Sequence, residues 1–180
     1  MRRTGILAML VCALAFACVE ARATTAIEIS LEEQVATARA IVRGRVTKIE
    51  SRRVDNRIFT YITLDVSEVM KGAVAPGRLV VKQAGGAVGD LGEWIAGSPR
   101  FDVGRESVVF LASDGDGAFV VDGLFMGNFF VTTEADGFEM VRRDTGGEGV
   151  FVLKRDGMSP GSVTAEFTLA TLRAVVERAV

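Results

Sequence analysis

The chain has 180 residues, with 21 Lys and Arg against 23 Asp and Glu, two cysteines and no histidine. Both cysteines, Cys12 and Cys18, precede residue 24. From there on the sequence excludes a Ser-His-Asp triad, a Cys-His nucleophile pair, a Cys/His zinc site and any disulfide, and leaves carboxylates, hydroxyls, Lys and Arg as its polar tools.

Arg2 and Arg3 precede an uncharged apolar run, Ile6 to Val19, and Ala21-Arg22-Ala23 places small residues at the −3 and −1 positions of a cleavage site. This pattern predicts a signal peptide over 1–23, a mature chain beginning at Thr24, and a periplasmic or extracellular location. The run is too short to span a bilayer comfortably, and no later stretch reaches that length. The mature chain is therefore expected to lack a transmembrane segment. Ala15-Phe16-Ala17-Cys18 resembles a bacterial lipoprotein box, which makes Cys18 the candidate lipidation site and a lipid the one membrane tether available.

Residues 24–180 are the size of one domain, large enough for a core without disulfides. Loss of Arg2, Arg3, Arg22 and Glu20 with the signal leaves 18 basic and 22 acidic residues. No basic stripe interleaved with aromatics is present, so nucleic acid is not an expected partner. No cofactor motif is present either.

In chain order, Ser30-Leu31-Glu32-Glu33 has the capping-box pattern and predicts a short helix over about 31–38. Alternation predicts a strand from Ile41 to Ile49 and another from Ile58 to Met70, joined by a turn at Asp55-Asn56. The phase slips at Val69-Met70, as at a bulge. Pro76-Gly77 leads into a third strand, Leu79 to Lys82. Residues 84–104 carry six glycines, Pro99 and Trp94 without strand periodicity, and read as a long irregular loop. Strands resume over Ser107–Leu111, Ala118–Val121 and Leu124–Thr132, with weaker ones over Phe138–Val141 and Gly149–Leu153. Asp114-Gly115-Asp116-Gly117 and Asp144-Thr145-Gly146-Gly147 read as turns, and Pro160-Gly161 as a break. Leu169, Leu172, Val175, Val176 and Ala179 share one helical face, so an amphipathic helix starts near Thr168. The expected fold is mainly β: a closed or half-closed antiparallel barrel over 24–180, packed against the terminal helix.

Ala40-Ile41-Val42-Arg43-Gly44-Arg45-Val46, Tyr61-Ile62-Thr63-Leu64-Asp65-Val66 and the Lys71-Gly72 ending resemble the opening of netrin-like domains, which include the tissue inhibitors of metalloproteinases. The chain is also similar to small exported bacterial proteins that share the Gly-Gly loop and Gly97-Ser98-Pro99-Arg100-Phe101. The netrin-like resemblance implies an OB-like five-stranded barrel with a flanking helix, and it suggests secreted-protease inhibition. Inhibitors of that family place an N-terminal cysteine on the catalytic zinc, and residues 24–180 have none, so that mechanism is not implied.

The leading functional reading is a non-enzymatic domain that binds an exported protein. Trp94, Ile95, Arg100 and Phe101 are its candidate contacts, because aromatics on a loop of a rigid scaffold serve as anchors. The same residues can instead plug the open end of a barrel. A carboxylate-based hydrolase is the enzyme alternative, with Asp90 and Glu93 or Asp102 and Glu106 as the paired acids. The glycines at 85, 86, 89 and 92 lack the Lys-Ser/Thr of a phosphate loop. Asp114, Asp116 and Asp122 lack the remaining ligands of an EF-hand, so a hairpin turn is expected there. Leu124 to Val131 is dense in aromatics and reads as core.

The first check is an intact mass of the exported protein. The expected value is that of Thr24–Val180; a heavier species beginning at a modified Cys18 would establish the lipid anchor instead.

Overall fold

The structure is a computed structural model and describes residues 24–144, 150–155, 157 and 166–179. The signal segment, Cys18, most of the turn at 144–147, Gly149 and the Pro160-Gly161 break lie outside the described residues.

The elements run β1 (Thr24–Ile27), α1 (Leu31–Thr37), β2 (Ala40–Val54), β3 (Arg57–Lys71), β4 (Gly77–Ala84), β5 (Gly86–Val88), β6 (Leu91–Glu93), β7 (Glu106–Ser113) and β8 (Phe119–Val121). A 3₁₀ turn (Leu124–Gly127) follows, then β9 (Asn128–Thr133), β10 (Glu139–Arg143), β11 (Val150–Leu153), β12 (Glu166–Thr168) and α2 (Leu169–Ala179). Eight strands form one sheet in the order β12-β10-β9-β7-β2-β3-β4-β8. The described residues are thus mainly β with two α-helices.

The sheet does not close into a regular barrel. β8 pairs with β7 through three residues, Leu111 with Val121 to Ser113 with Phe119. It meets β4 through a single parallel pair, Val81 with Phe119. On its other half β7 pairs with β9, so one edge of β7 serves two neighbours in succession.

The two faces of the β2–β7 ribbon carry the two main cores. Ile41, Val108 and Phe110 point to one side, where α1 and α2 bring Val35, Leu169, Leu172 and Val176. Val42, Val109 and Leu111 point to the other, against Ile62, Leu64, Val66 and Val81. Because side chains alternate across a strand, both faces of this ribbon are apolar, which explains the unbroken Val108-Val109-Phe110-Leu111 run. β3 has only its inner face covered, and its burial alternates cleanly from Ile58 to Val66.

The expected bulge is present. Ile41 pairs with Lys71 and Val42 with Val69, leaving Met70 without a partner; two further shifts bypass Ser67 and Thr47. Each adds local twist and helps the long β2–β3 ribbon curl around its core. The helices follow their sequence signals. Glu33 N–H donates to Ser30 Oγ at 3.1 Å at the start of α1. Thr171 N–H donates to Thr168 Oγ1 at 3.1 Å at the start of α2. The Arg173 guanidinium then grips Glu68 of β3 through two bonds of 2.8 and 2.7 Å.

Three expectations need correction. Residues 84–104 are not structureless, since β5 and β6 form a small hairpin. Leu124–Thr132 is not one strand. Leu124 has φ +56° and starts a 3₁₀ turn, which buries Phe125 and Met126 against Ala26 of β1 before β9 begins. The sequence reading assigns no strand to β1 or β12, yet β1 pairs in parallel with β11 and β12 pairs with β10.

Gly127 marks the tightest point of this arrangement. A Cβ there would overlap the Asp122 carbonyl oxygen and crowd Val121. Backbone cannot yield as a flexible side chain does, so Gly127→Ala is expected to destabilise by about 2 kcal/mol or more. Urea unfolding followed by circular dichroism checks this; an unchanged midpoint would mean that the 3₁₀ turn shifts freely.

Candidate functional site

The β2–β3 ribbon outruns its neighbours. β7 pairs with β2 only as far as Arg45, whereas β2 continues to Val54 and β4 follows β3 out to Phe59. Its inner face therefore ends in a polar rung instead of core. Thr60 Oγ1 donates to the Gly85 carbonyl at 2.7 Å. Its single proton is thereby used, so Ser51 supplies the proton in the 2.9 Å bond between the two hydroxyls.

The β5–β6 hairpin lies directly on this rung. Gly86 has φ +135°, and a Cβ on it would overlap both Thr60 Oγ1 and Ser51 Oγ. The Glu93 carboxylate fixes the other end of the hairpin. It accepts from the backbone N–H of Ile58 at 2.8 Å and from Arg57 Nε at 2.9 Å. The Ile58 N–H, then the Arg57 guanidinium, hold this carboxyl below the usual glutamate range.

The chain then crosses the end of the sheet through residues 94–100. The Asp144 carboxylate, whose side chain is fully buried, accepts from Arg100 N at 2.7 Å, Arg100 Nε at 3.1 Å and Arg100 Nη2 at 2.9 Å. Asn128 Nδ2 donates to the Arg100 carbonyl at 2.7 Å. Phe125 N–H reaches the Gly97 carbonyl at 3.0 Å. The crossing segment is thus tied by its main chain at two places.

Two concavities flank it. One, of about 560 Å³, lies between the hairpin and the crossing segment and is bordered by Gly86, Ala87, Glu93, Trp94, Ile95 and Arg100. The other, of about 230 Å³, lies on the far side and is bordered chiefly by Ala84, Ile95, Pro99, Val120, Val121 and Leu124. Gln83 borders both, and its Oε1 is buried without a donor among the described residues.

The predicted contact residues separate. Trp94 is 59% exposed, the most prominent aromatic of the crossing segment. Ile95 is half-buried between the concavities. Arg100 is exposed at its head, but its backbone and guanidinium are committed to Asp144. Phe101 is half-buried and packs against the inner core as a plug.

The candidate acids do not form a working pair. Asp90 is exposed at the hairpin turn. Glu93 is shifted in the direction opposite to that of a general acid. Asp102 faces Arg105 at 3.3 Å, and Glu106 meets Arg43 Nε at 2.9 Å in a separate cluster with Glu139. Asp114 staples its own turn, accepting from Asp116 N and Ala118 N, and pairs with Lys82 at 2.9 Å. Asp122 accepts from Thr37 Oγ1 at 3.3 Å. Among the described residues no group of three acids is arranged to hold a metal ion.

Sequence reasoning missed Asp144, Gln83 and Leu124. Asp144 sits in a run that reads as a turn, Asp144-Thr145-Gly146-Gly147, and only its buried neighbourhood reveals the clamp. Leu124 follows Gly123, the one local hint of a left-handed backbone. No protein-family model matches the chain, and neither a curated protein nor a solved structure matches it. The architecture places it only as a mainly β domain with an open, neutral groove at one end of its sheet.

The lowered Glu93 pKa sets a pH dependence. A carboxyl depressed in the folded state stabilises the hairpin above the unfolded glutamate pKa of about 4.3, and the contribution is lost as pH falls through the lower folded value. The protection factor of the Ile58 amide, its exchange rate relative to the unstructured chain at the same pH, is expected to be high at neutral pH and to fall below about pH 4. Glu93→Gln should show the lower protection at neutral pH as well, and equal protection in both proteins would remove Glu93 as the clamp.

Proposed function

We propose that this chain is an exported, non-enzymatic domain that binds another protein through the groove at the end of its sheet. The observation that carries the reading is a fixed platform bearing apolar groups in the open. Trp94 and Leu124 stand exposed on either side of Ile95, while the segment between them is held by Asp144, Asn128 and the Phe125 N–H. Exposed apolar residues on a pinned segment lose little conformational entropy when a partner covers them. The export reading rests on the N-terminal sequence pattern.

We further read the circuit β7–β2–β3–β4–β8 as an OB-like roll whose seam is the Val81–Phe119 pair. The parallel sense of that pair, and a helical layer on the outer face of β2 and β7, support this reading. A hydrolase reading lacks a carboxyl raised into the range of a general acid. Protease inhibition is a special case of the proposed binding and draws support only from the resemblance in residues 38–72.

The test is affinity capture from the exported fraction of the source cells, using the exported protein and its Trp94→Ala/Ile95→Ala variant. The wild type is expected to retain one stoichiometric partner. The variant should bind it more weakly by about 2 kcal/mol, roughly thirtyfold, with unchanged circular dichroism and urea midpoint. Equal capture by the variant would move the interface elsewhere.

A further inference from the structure

The smaller concavity is bounded by main chain as well as by side chains. Gly85 N–H donates to the Ile58 carbonyl at 2.9 Å, which turns the peptide groups of the odd-numbered residues of β4 toward β3. Those of Val80, Lys82 and Ala84 consequently face the opposite edge, toward β8. On β8, Asp114 N–H donates to the Ala118 carbonyl and Asp122 N–H to the Phe110 carbonyl. The even-numbered residues thus face β7, and Phe119 and Val121 face β4. The two edges meet only at Val81 and Phe119. Beyond that pair they part, and the cavity of about 230 Å³ opens between Ala84 and Val121, with Ile95 and Pro99 beside it.

The lining selects an occupant. Its one charged member, Lys82, is neutralised by Asp114 at 2.9 Å and has its ammonium 4.7 Å from the centre of the Phe59 ring. A neutral wall favours a neutral guest. The main-chain edges of β4 and β8 that part beyond Val81 and Phe119 have strand geometry, which an extended guest matches and a helix does not. The buried Gln83 Oε1 has no donor among the described residues, and a guest that brings N–H groups satisfies it. Leu124 adds an independent sign. A leucine at φ +56° is strained, and such strain concentrates at ligand clamps. Here it holds a 40% exposed apolar side chain over the cavity rim.

We propose that this seam receives an extended, uncharged peptide segment of a partner protein, which inserts between the edges of β4 and β8 and continues the sheet. Main-chain bonds to Ala84 and Val121 would supply the affinity. The apolar walls at Pro99, Val120 and Leu124 would select a nonpolar side chain at alternate positions. The proposal rests on the protein-binding reading above and narrows it to one chemistry.

The experiment screens a display library of random hexapeptides against the immobilised exported protein. Enriched sequences should carry apolar residues at alternate positions. A synthetic enriched peptide, capped at both ends, should bind at least tenfold more weakly once alternate backbone nitrogens are N-methylated. Leu124→Asn supplies the second arm. Asn tolerates the left-handed conformation, so the urea midpoint should hold or rise while peptide affinity falls at least tenfold. Absence of enrichment, or affinity indifferent to N-methylation or to Leu124→Asn, overturns strand insertion. Partner capture lost in the Trp94/Ile95 variant together with an empty peptide screen overturns insertion alone and leaves the wider reading standing; equal capture by wild type and variant together with an empty screen removes both.

Discussion

The structure depends on one ribbon that is apolar on both faces. β2 and β7 together form the wall between two cores, and no other pair of strands does so. Residues of one parity contact the helices and those of the other contact the curled part of the sheet. A polar substitution at Phe110 or Val109 would strand an unpaired group in one core or the other, because no solvent face remains to receive it. The ribbon also dictates where the helices lie. α1 precedes β2 directly and α2 follows β12, so both are brought to the same side. Lys71 Nζ, close to the Val35 carbonyl and 3.1 Å from that of Ala36, closes the carbonyl end of α1. On that side the Arg143 guanidinium is buried over the Phe129 ring at 4.9 Å and donates to Gln34 Oε1 at 3.2 Å. Burial lowers its pKa. The cation beneath α1 is thus held by an amide and a ring, with the Glu28 carboxylate acting on it electrostatically, and it ties the helix to β10.

The groove follows from the same wall. β7 divides its free edge between β9 and β8, and β8 is only three residues long. A strand so short cannot follow β4 along its length, so the seam is open beyond Val81. The crossing segment lies across that end of the sheet and is held there by contacts that come from distant parts of the chain. Asp144 reaches it from the end of β10, Asn128 from β9 and Phe125 from the 3₁₀ turn. Three separate elements hold seven residues, which is why a stretch rich in glycine is nonetheless ordered. The positive φ of Leu124 is maintained in the same way, since Phe125 and Met126 are locked in the small core with Ala26.

Local signals were well expressed in the sequence and long-range ones were not. Ser30 with Glu33, Thr168 before Leu169, the Asp55-Asn56 turn and the slip at Met70 are all governed by neighbours within a few residues, and each appears where its pattern predicts. The β5–β6 hairpin escaped notice because two three-residue strands, Gly86-Ala87-Val88 and Leu91-Gly92-Glu93, are too short to carry usable alternation. Leu124–Thr132 misled for the opposite reason: Phe125 to Val131 is buried at every position, and helix and strand cannot be told apart by period in such a run. Trp94 and Ile95 were legible as candidate contacts because bulky apolar residues in a glycine-rich stretch are conspicuous. Phe101 looked the same and proved to be core. The difference lies in Phe101 packing inward against the sheet, which composition does not encode. Asp144 was invisible because its role is defined by Arg100, 44 residues away.

The balance between catalysis and binding follows from how the charges are used. In a chain without histidine, and without cysteine from residue 24 on, acid–base work at neutral pH would need a carboxyl freed from cations and raised by burial. The opposite is found around the groove. Glu93 and Asp114 are each held below their usual range, the first by a backbone N–H and Arg57, the second by Lys82. Arg100 is committed to Asp144. These charges fix chain segments in place, and the seam beside them is lined mainly by apolar side chains, with Gln83, Ser98 and the paired Lys82 as its polar members. Apolar area and two sheet edges that part beyond Val81 and Phe119 are the features on which the proposed binding rests.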